Sequence, residues 1–239
     1  MAQLWVIRHG QASLFSTDYD VLSPKGEAQA SNLGKHIAAS GIAIDCAFTG
    51  PAKRQRDTAS LCRAAAGEAW EPAVQIEGLN EHDAFGMLAK VVPKLSSDPE
   101  IETLQGAIAA ASSPQQRSGS FQRLFEAVMK RWLRDEIDPA DAQPWGEFRA
   151  RVLTGLETLR AAPASAKRIA AFTSVGPLAV LLQQALGTPD LASFQVAWRI
   201  RNASITRFEF SRRSASGPLT LDGFNTLPHL PDPASWTFR

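Results

Sequence analysis

Residues 4–11 have the sequence Leu4-Trp5-Val6-Ile7-Arg8-His9-Gly10-Gln11. The first four are apolar, and a run of this length is typical of a short, buried β-strand. The basic pair follows where the strand would leave the sheet, at the edge where open α/β sheets bind ligands. An imidazole can attack phosphorus, and a guanidinium beside it can hold two phosphate oxygens. The stretch thus predicts a phosphate site with a nucleophilic His9; a chance Arg-His pair on a surface loop is the alternative for these residues alone.

Three further segments place chemically useful side chains after apolar runs. They are Thr49-Gly50-Pro51-Ala52-Lys53-Arg54, Leu79-Asn80-Glu81-His82 and Phe172-Thr173-Ser174-Val175-Gly176-Pro177. Together with the first segment they resemble the histidine phosphatase superfamily, also called phosphoglycerate-mutase-like. The resemblance covers residues 1–82 and 168–230, whereas residues 86–145 have no identified counterpart.

The resemblance implies a role for several side chains. His9 matches the nucleophile, Arg8 and Arg54 match phosphate clamps, and Glu81 matches the general acid. Asp83 is the nearest substitute for that acid. The implied fold is α/β, a three-layer α/β/α sandwich with a mostly parallel central sheet. No metal and no cofactor are expected in this mechanism.

Ser174 departs from the family pattern, which has a second histidine there. Some bacterial branches that resemble this chain also carry Ser, so we interpret the site as a variant pocket. We expect Ser174 to bind phosphate through a neutral hydroxyl. Since losing one preorganised donor costs on the order of 10²–10³ in rate, activity is expected to be weakened and not abolished.

His82 has two interpretations, because it can reach the phosphate or be a loop histidine bonded elsewhere. Gln11, Ser16 and Thr17 are candidate substrate contacts from the first loop, with a local hydrogen-bonding role favoured for Gln11. The free amides that begin the helix after Ser174 are expected to add donors to the phosphate, since a helix N-terminus binds anions.

Charge and cysteine content exclude several classes of function. Lys and Arg number 25 against 24 Asp and Glu, which gives no electrostatic case for nucleic acid or an anionic membrane. Cys46 and Cys62 are too few for a disulfide framework or a structural zinc site and are expected to be buried thiols. A cytoplasmic location is the default expectation, and the sequence does not specify an oligomeric state.

The chain is expected to form one domain, residues 1–239, with a helical cap inserted at about residues 86–145. Pro93 and two Ser-Pro segments should break that insertion into helices. Its most regular helix has an apolar face that packs on the domain or binds a partner. In the main domain, Ser23-Pro24 predicts a capped helix start, and Pro51 predicts a second helix with Arg54 in its first turn.

These observations predict a phosphomonoester hydrolase with a phosphohistidine intermediate on His9, acting on a small phosphorylated substrate or a phosphoprotein. A phosphoglycerate-mutase-type phosphotransferase is the alternative enzyme, and the unmatched middle of the chain argues mildly against it. A catalytically weakened phosphate-ligand-binding or interaction protein is the alternative from another class, suggested by Ser174.

Overall fold

The computed structural model describes residues 1–13, 20–212 and 217–238. Ser16 and Thr17, two of the predicted substrate contacts, lie outside these ranges. The described chain divides into two compact units, one of residues 1–81 with 150–239 and the other of residues 82–149. The second unit includes all of the predicted insertion, residues 86–145, and extends a few residues beyond it at each end. A role of this unit as a cap stays a prediction.

A mixed sheet of six strands forms the centre of the first unit. The strands are β1 (Ala2–Arg8), β2 (Cys46–Thr49), β3 (Val74–Gln75), β4 (Arg168–Thr173), β5 (Ile205–Phe210) and β6 (Leu219–Thr226). Their order is β3-β2-β4-β1-β5-β6. The first four pair in parallel, while β5 is antiparallel to β1 and β6 is antiparallel to β5. The predicted fold class, with a mostly parallel sheet, is therefore confirmed.

The helices of the described chain are α1 (Pro24–Ala39), α2 (Lys53–Ala65), α3 (Ala84–Lys94), α4 (Pro99–Ala109), α5 (Pro114–Trp132), α6 (Trp145–Arg160), α7 (Val175–Leu186) and α8 (Asp190–Ala197). Ser23 caps α1 as predicted, since its side chain accepts a hydrogen bond from the backbone N–H of Gly26. The short helix α8 was not predicted.

Two prolines lie inside helices, each close to a helix end. Pro177 is the third residue of α7, where a backbone N–H has no intrahelical partner to lose. Pro93 lies one residue before the end of α3 and removes only a single hydrogen bond, so the helix ends next to the break that was predicted there. Position within the helix decides what a proline costs.

Helices cover both faces of the sheet. Trp5 and Ile7 of β1 share one buried cluster with Leu33 of α1 and Cys62 of α2. Side chains alternate across a strand, so Leu4 and Val6 face the other side, and both are fully buried. Helix α7 contacts β1 and β6. The result is the three-layer arrangement that the family resemblance implies.

Gly10 makes a close approach between the loop after β1 and helix α1. A Cβ on Gly10 would lie 2.4 Å from the carbonyl oxygen of Gly26, and a Cβ on Gly26 would lie 2.1 Å from the carbonyl oxygen of Gln11. Both distances are shorter than van der Waals contact, so neither position accepts a side chain. The two glycines fix how closely this loop lies on the helix.

The second unit is helical, with α3, α4, α5 and the first residues of α6. Leu124, Val128 and Trp132 on the apolar face of α5 are buried. None of the described helices is both long enough and apolar enough to cross a membrane.

Candidate active site

The predicted site residues of the first unit meet where strands β1 and β4 end. Arg8 pairs with Thr173 in the register of the two parallel strands, and the backbone N–H of His9 donates to the carbonyl oxygen of Thr173 at 2.9 Å. The next residue of β4 is Ser174. Parallel neighbours end at the same sheet edge, so Arg8, His9 and Ser174 are brought together by topology.

His9 is buried, with 4% of its surface exposed. Its Nδ1 lies 2.7 Å from the carbonyl oxygen of Gly10, and because a carbonyl only accepts, Nδ1 must carry the proton. Nε2 is then the atom with a lone pair, and Arg54 Nε donates to it at 3.3 Å. This is the arrangement expected for a nucleophile, with the non-attacking nitrogen bonded to a backbone carbonyl.

Burial lowers the pKa of His9 well below the usual 6.5, and the positive charges of Arg54 and Arg8 lower it further. The hydrogen bond to Gly10 and the negative charge of Glu81 act in the opposite direction and are weaker. A neutral imidazole keeps its lone pair. The environment therefore holds His9 in the protonation state that can attack an electrophile.

The backbone around His9 is fixed by polar side chains. Thr58 Oγ1 accepts from the N–H of Gly10 at 3.0 Å and donates to the carbonyl oxygen of Arg54 at 2.6 Å. Asn202 Nδ2 donates to the carbonyl oxygen of His9 at 3.2 Å. Thr58 therefore links the nucleophile to the helix that carries Arg54. Sequence reasoning missed Thr58, whose only signal is its place one helical turn after Arg54.

A second layer of hydrogen bonds joins the nucleophile loop to the C-terminal segment. Gln29 Oε1 accepts from the N–H of Gln11 at 2.9 Å, and Gln29 Nε2 donates to Thr237 Oγ1 at 3.0 Å. Thr237 Oγ1 donates in turn to Asn202 Oδ1 at 2.9 Å. Thr237 thus connects the two side chains that hold the loop, and nothing in the local sequence indicates this.

Gln11 is engaged within this loop region. Its Oε1 accepts from Ser23 Oγ at 2.9 Å, and Ser23 Oγ accepts from Gly26 at the start of α1. The side chain of Gln11 is therefore attached to the cap of α1.

Arg54 lies beside His9, on the first turn of α2. It is 9% exposed, and its Nη1 forms an ion pair with Asp20 Oδ1 at 2.7 Å. Asp20 Oδ2 also accepts from the N–H of Lys53 at 2.7 Å, so this carboxylate lies at the N-terminus of α2. Asp20 orients the guanidinium from one side and leaves Nε directed at His9. Arg56, two residues later, is exposed.

Arg8 is also buried, with 6% of its surface exposed. Its Nη1 donates to the carbonyl oxygen of Ile200. The two predicted clamps therefore approach the nucleophile from different elements, one from the end of β1 and one from the first turn of α2. Their positive charges both act on His9.

Glu81 is half-buried and follows a short 3-10 turn at Glu77–Leu79. Its carboxylate oxygens lie 3.0 and 3.1 Å from the N–H of Gly176, in the first turn of α7. The amide at this helix start was expected to donate to phosphate, but it donates to Glu81 instead. The reason is that a carboxylate of the protein already lies at the positive end of the helix.

Backbone anchors hold the segment before Glu81. Gln55 Nε2 donates to the carbonyl oxygen of Leu79 at 3.0 Å, and Thr173 Oγ1 donates to the same oxygen at 2.7 Å. A Cβ on Gly78 would lie 2.3 Å from the Cα of Gly155, so the turn lies directly against α6. The position of Glu81 is set by its backbone.

Ser174 is 1% exposed and caps α7 in an extended conformation. Its Oγ accepts a hydrogen bond from Gln55 Nε2 at 2.8 Å. Gln55 is fully buried and is the third residue of α2. Sequence reasoning did not select Gln55, because a glutamine near a helix start has no specific signature.

His82 belongs to the second unit and contacts aromatic side chains there. Its ring stacks on Trp132 at a centroid distance of 4.6 Å and meets the edge of Phe148 at 5.4 Å. Asp83, the substitute acid, is exposed and caps α3 by accepting from Gly86 at 2.8 Å. A phosphate contact from His82 stays a prediction.

In the described ranges, no three or more His, Cys, Asp and Glu side chains are grouped so that they could hold a metal ion.

A family model described as "Histidine phosphatase superfamily (branch 1)" matches residues 4–94 and 110–217. This match includes most of the segment that was expected to have no counterpart, and that expectation is wrong. A 2,3-bisphosphoglycerate-dependent phosphoglycerate mutase from Streptococcus agalactiae is 41% identical over 96 residues. The match covers 38% of this chain and 42% of the relative, so it spans less than half of either protein.

Two solved structures share the fold over nearly the whole chain. A phosphoglycerate mutase from Bacillus anthracis has a TM-score of 0.64 at 19% identity, over 96% of this chain and 95% of that one. A mycobacterial glucosyl-3-phosphoglycerate phosphatase in complex with VO3 has a TM-score of 0.63 at 17% identity, over 94% and 99%. At these identities the likeness concerns the fold.

Proposed function

Since this chain belongs to the histidine phosphatase superfamily, branch 1, we propose that it is a phosphomonoester hydrolase that forms a phosphohistidine on His9. The observation that carries the proposal is the state of this side chain. His9 is buried and neutral, and the lone pair of its Nε2 lies beside the guanidinium of Arg54. Phosphoryl transfer asks the protein mainly for such positioning and for positive charge around the phosphoryl oxygens.

The reaction has two steps. In the first, His9 Nε2 attacks phosphorus, the bond to the leaving oxygen breaks, and a protonated Glu81 gives that oxygen its proton. In the second, Glu81 as carboxylate takes a proton from water, the water oxygen attacks phosphorus, and the phosphorus–nitrogen bond breaks. Inorganic phosphate and neutral His9 result. Arg8 and Arg54 bind the phosphoryl oxygens in both steps, and the protein supplies every group without a metal.

Ser174 replaces the second histidine of the family in this proposal and donates a neutral hydrogen bond to phosphate. Its place between the end of β4 and the start of α7 supports the assignment, as does its near-complete burial. Charge-assisted hydrogen bonds are roughly twice as strong as neutral ones. Modest activity is therefore expected.

A phosphoglycerate-mutase-type phosphotransferase is the second candidate. The 41% identical segment of the S. agalactiae relative favours it, and the family match through much of residues 86–145 removes the argument that an unmatched middle made against it. The two candidates differ in the acceptor of the second step, which is water in a hydrolase and a hydroxyl of the bound product in a mutase.

The proposal is tested by mixing the protein with a ³²P-labelled phosphomonoester and quenching the reaction rapidly in alkali, because acid would destroy a phosphohistidine. We expect a base-stable, acid-labile label on the wild type, the same label on His36→Ala as matched control, and none on His9→Ala. Undiminished turnover by His9→Ala would remove the assignment. Label that passes to 3-phosphoglycerate without release of inorganic phosphate would identify the mutase, and vanadate binding without label or turnover would identify a binding protein.

A further inference from the structure

Gln55 connects the elements of the pocket through one buried amide. It follows Arg54 in the first turn of α2 and contacts the segments that precede Glu81 and begin α7. None of its surface is exposed. A buried amide has to satisfy its hydrogen bonds within the protein, so its partners determine the direction of each bond.

Two backbone partners fix the orientation of this amide. The N–H of Ala52 lies 3.2 Å from Gln55 Oε1 and can only donate. The carbonyl oxygen of Leu79 lies 3.0 Å from Gln55 Nε2 and can only accept. Exchanging the oxygen and nitrogen would break both bonds at once, so the assignment follows from the network. Gly50 leaves room for this amide, since a Cβ there would lie 2.0 Å from Oε1.

The direction of the bond to Ser174 follows from this orientation. Nε2 has two hydrogens, of which one goes to Leu79 and the other to Ser174 Oγ at 2.8 Å. Ser174 Oγ is therefore an acceptor in this contact. A hydroxyl has a single hydrogen, which must be donated elsewhere. Within the described part of the chain, the hydroxyl hydrogen of Ser174 is donated to no protein acceptor.

We propose that Gln55 is a positioning residue that fixes the hydroxyl of Ser174 as a hydrogen-bond donor to the bound phosphoryl group. The inference rests on the proposed function, since it assigns Ser174 to phosphate binding. Without the Gln55 amide, no donor would hold Ser174 Oγ as an acceptor, and its hydrogen would have no preferred direction. The amide thus gives a neutral side chain a fixed donor direction in place of a charge.

A double-mutant cycle on vanadate binding tests the inference, with Gln55→Met and Ser174→Ala as the single variants. A neutral hydrogen bond contributes ~0.5–1.5 kcal/mol, so each variant should weaken vanadate binding by about 2–12-fold. In the Ser174→Ala background, Gln55→Met should have a clearly smaller effect on vanadate binding than it has in the wild type. Purely additive losses would overturn the inference.

Two controls separate positioning from general damage. Gln122→Met makes the same chemical change on α5, where Gln122 bonds to Glu126, and should leave vanadate binding unchanged. Ser174→Thr keeps the hydroxyl and should keep the sensitivity to Gln55→Met. Loss of that sensitivity in Ser174→Thr would contradict the inference.

A measurement on Gln55 itself covers the case in which Gln55→Met fails to fold. The side-chain ¹H–¹⁵N resonances of Gln55 should shift when vanadate binds the wild type and stay in place when it binds Ser174→Ala. Equal shifts in both proteins would overturn the inference. Neither experiment needs turnover. Coupling between Gln55 and Ser174 in a protein that forms no phosphohistidine would refute only the hydrolase. Phosphohistidine in a protein without this coupling would refute only the role of Gln55.

Discussion

On one side of the pocket, His9 is buried, neutral and held by Gly10 at Nδ1 and by Asn202 at its carbonyl oxygen. On the other side, Glu81 is half-buried, and its carboxylate accepts from the backbone of Gly176. The nucleophile is thus in its reactive protonation state before substrate arrives, and its Nε2 has only to leave the hydrogen bond from Arg54. The carboxylate is bound as an acceptor, and it must gain a proton on one oxygen before it can act as an acid.

This difference predicts for which substitutions the loss of activity depends on the substrate. A change on the nucleophile side should affect every phosphomonoester, because all of them meet the same His9 and the same guanidinium groups. A change at Glu81 should depend on the leaving group, because only a poor leaving group needs the proton.

The largest effect is expected for Glu81→Gln. Hydrolysis of an alkyl phosphate should slow by roughly 10²–10⁴-fold, the usual contribution of general acid catalysis. Hydrolysis of nitrophenyl phosphate should slow far less, since nitrophenolate leaves without a proton. Steady-state kinetics with both substrates measure the difference. Asp83→Asn, at an exposed helix cap, is the control, and equal losses for both substrates would assign Glu81 to structure or binding.

On the nucleophile side, Arg54→Lys should lower kcat/KM by about 10²-fold for both substrates, since a transition-state donor is lost. An ammonium cannot bind Asp20 and direct a second donor at His9 as the planar guanidinium does. Arg56→Lys on the exposed face of the same helix should be neutral. Loss of activity towards the alkyl phosphate alone would show that Arg54 serves the leaving group.

A smaller effect is expected for Thr237→Val, which removes the link between Gln29 and Asn202. We expect kcat to fall by about 2–12-fold, corresponding to one neutral hydrogen bond, with KM unchanged. Thr226→Val is the matched control, because Thr226 Oγ1 donates to the carbonyl oxygen of Ile205 and not to the nucleophile loop. Thr237→Ser should restore the rate. Equal rates for Thr237→Val and the wild type would show that the nucleophile needs no support from this segment.

The smallest expected effect is the response of His9 to mild acid. Its pKa lies below 6.5, so less than half of the His9 rings should carry a second proton at pH 6.5. Arg54→Gln removes a positive charge that lowers the pKa, and the midpoint should move to higher pH. An NMR titration of the ring, assigned with His9→Ala, measures both midpoints. A wild-type midpoint above 6.5 would show that desolvation does not control this histidine.

Much of the first unit follows from short-range patterns. The apolar run of β1 is the strand that was predicted, extended by a few residues, and Ser23 caps α1 as expected. Arg54 lies in the first turn of α2 for a similar reason, since Pro51 prevents the helix from starting much earlier. Such signals work because they act over a few neighbouring residues.

The residues that support the site had no comparable signal. Gln55 and Ser174 are 119 residues apart, and Asn202 and His9 are 193 residues apart. The pairing of β2 with β4 brings the first two segments together, and the pairing of β1 with β5 brings the other two together. Helix α8 was also missed, since it is a short helix between α7 and β5.

By itself, the sequence determined the chemical groups of this site and where they occur along the chain. Arg8 and His9 follow an apolar run, and Arg54 lies at a helix start. Glu81 and Ser174 each follow a short segment with apolar residues. Only the tertiary structure decided which nitrogen of His9 keeps its lone pair and which side chain donates to the hydroxyl of Ser174. The physical reason is that a proton's position depends on its hydrogen-bond partner, and the partners that matter here are assembled by strand pairing and helix packing.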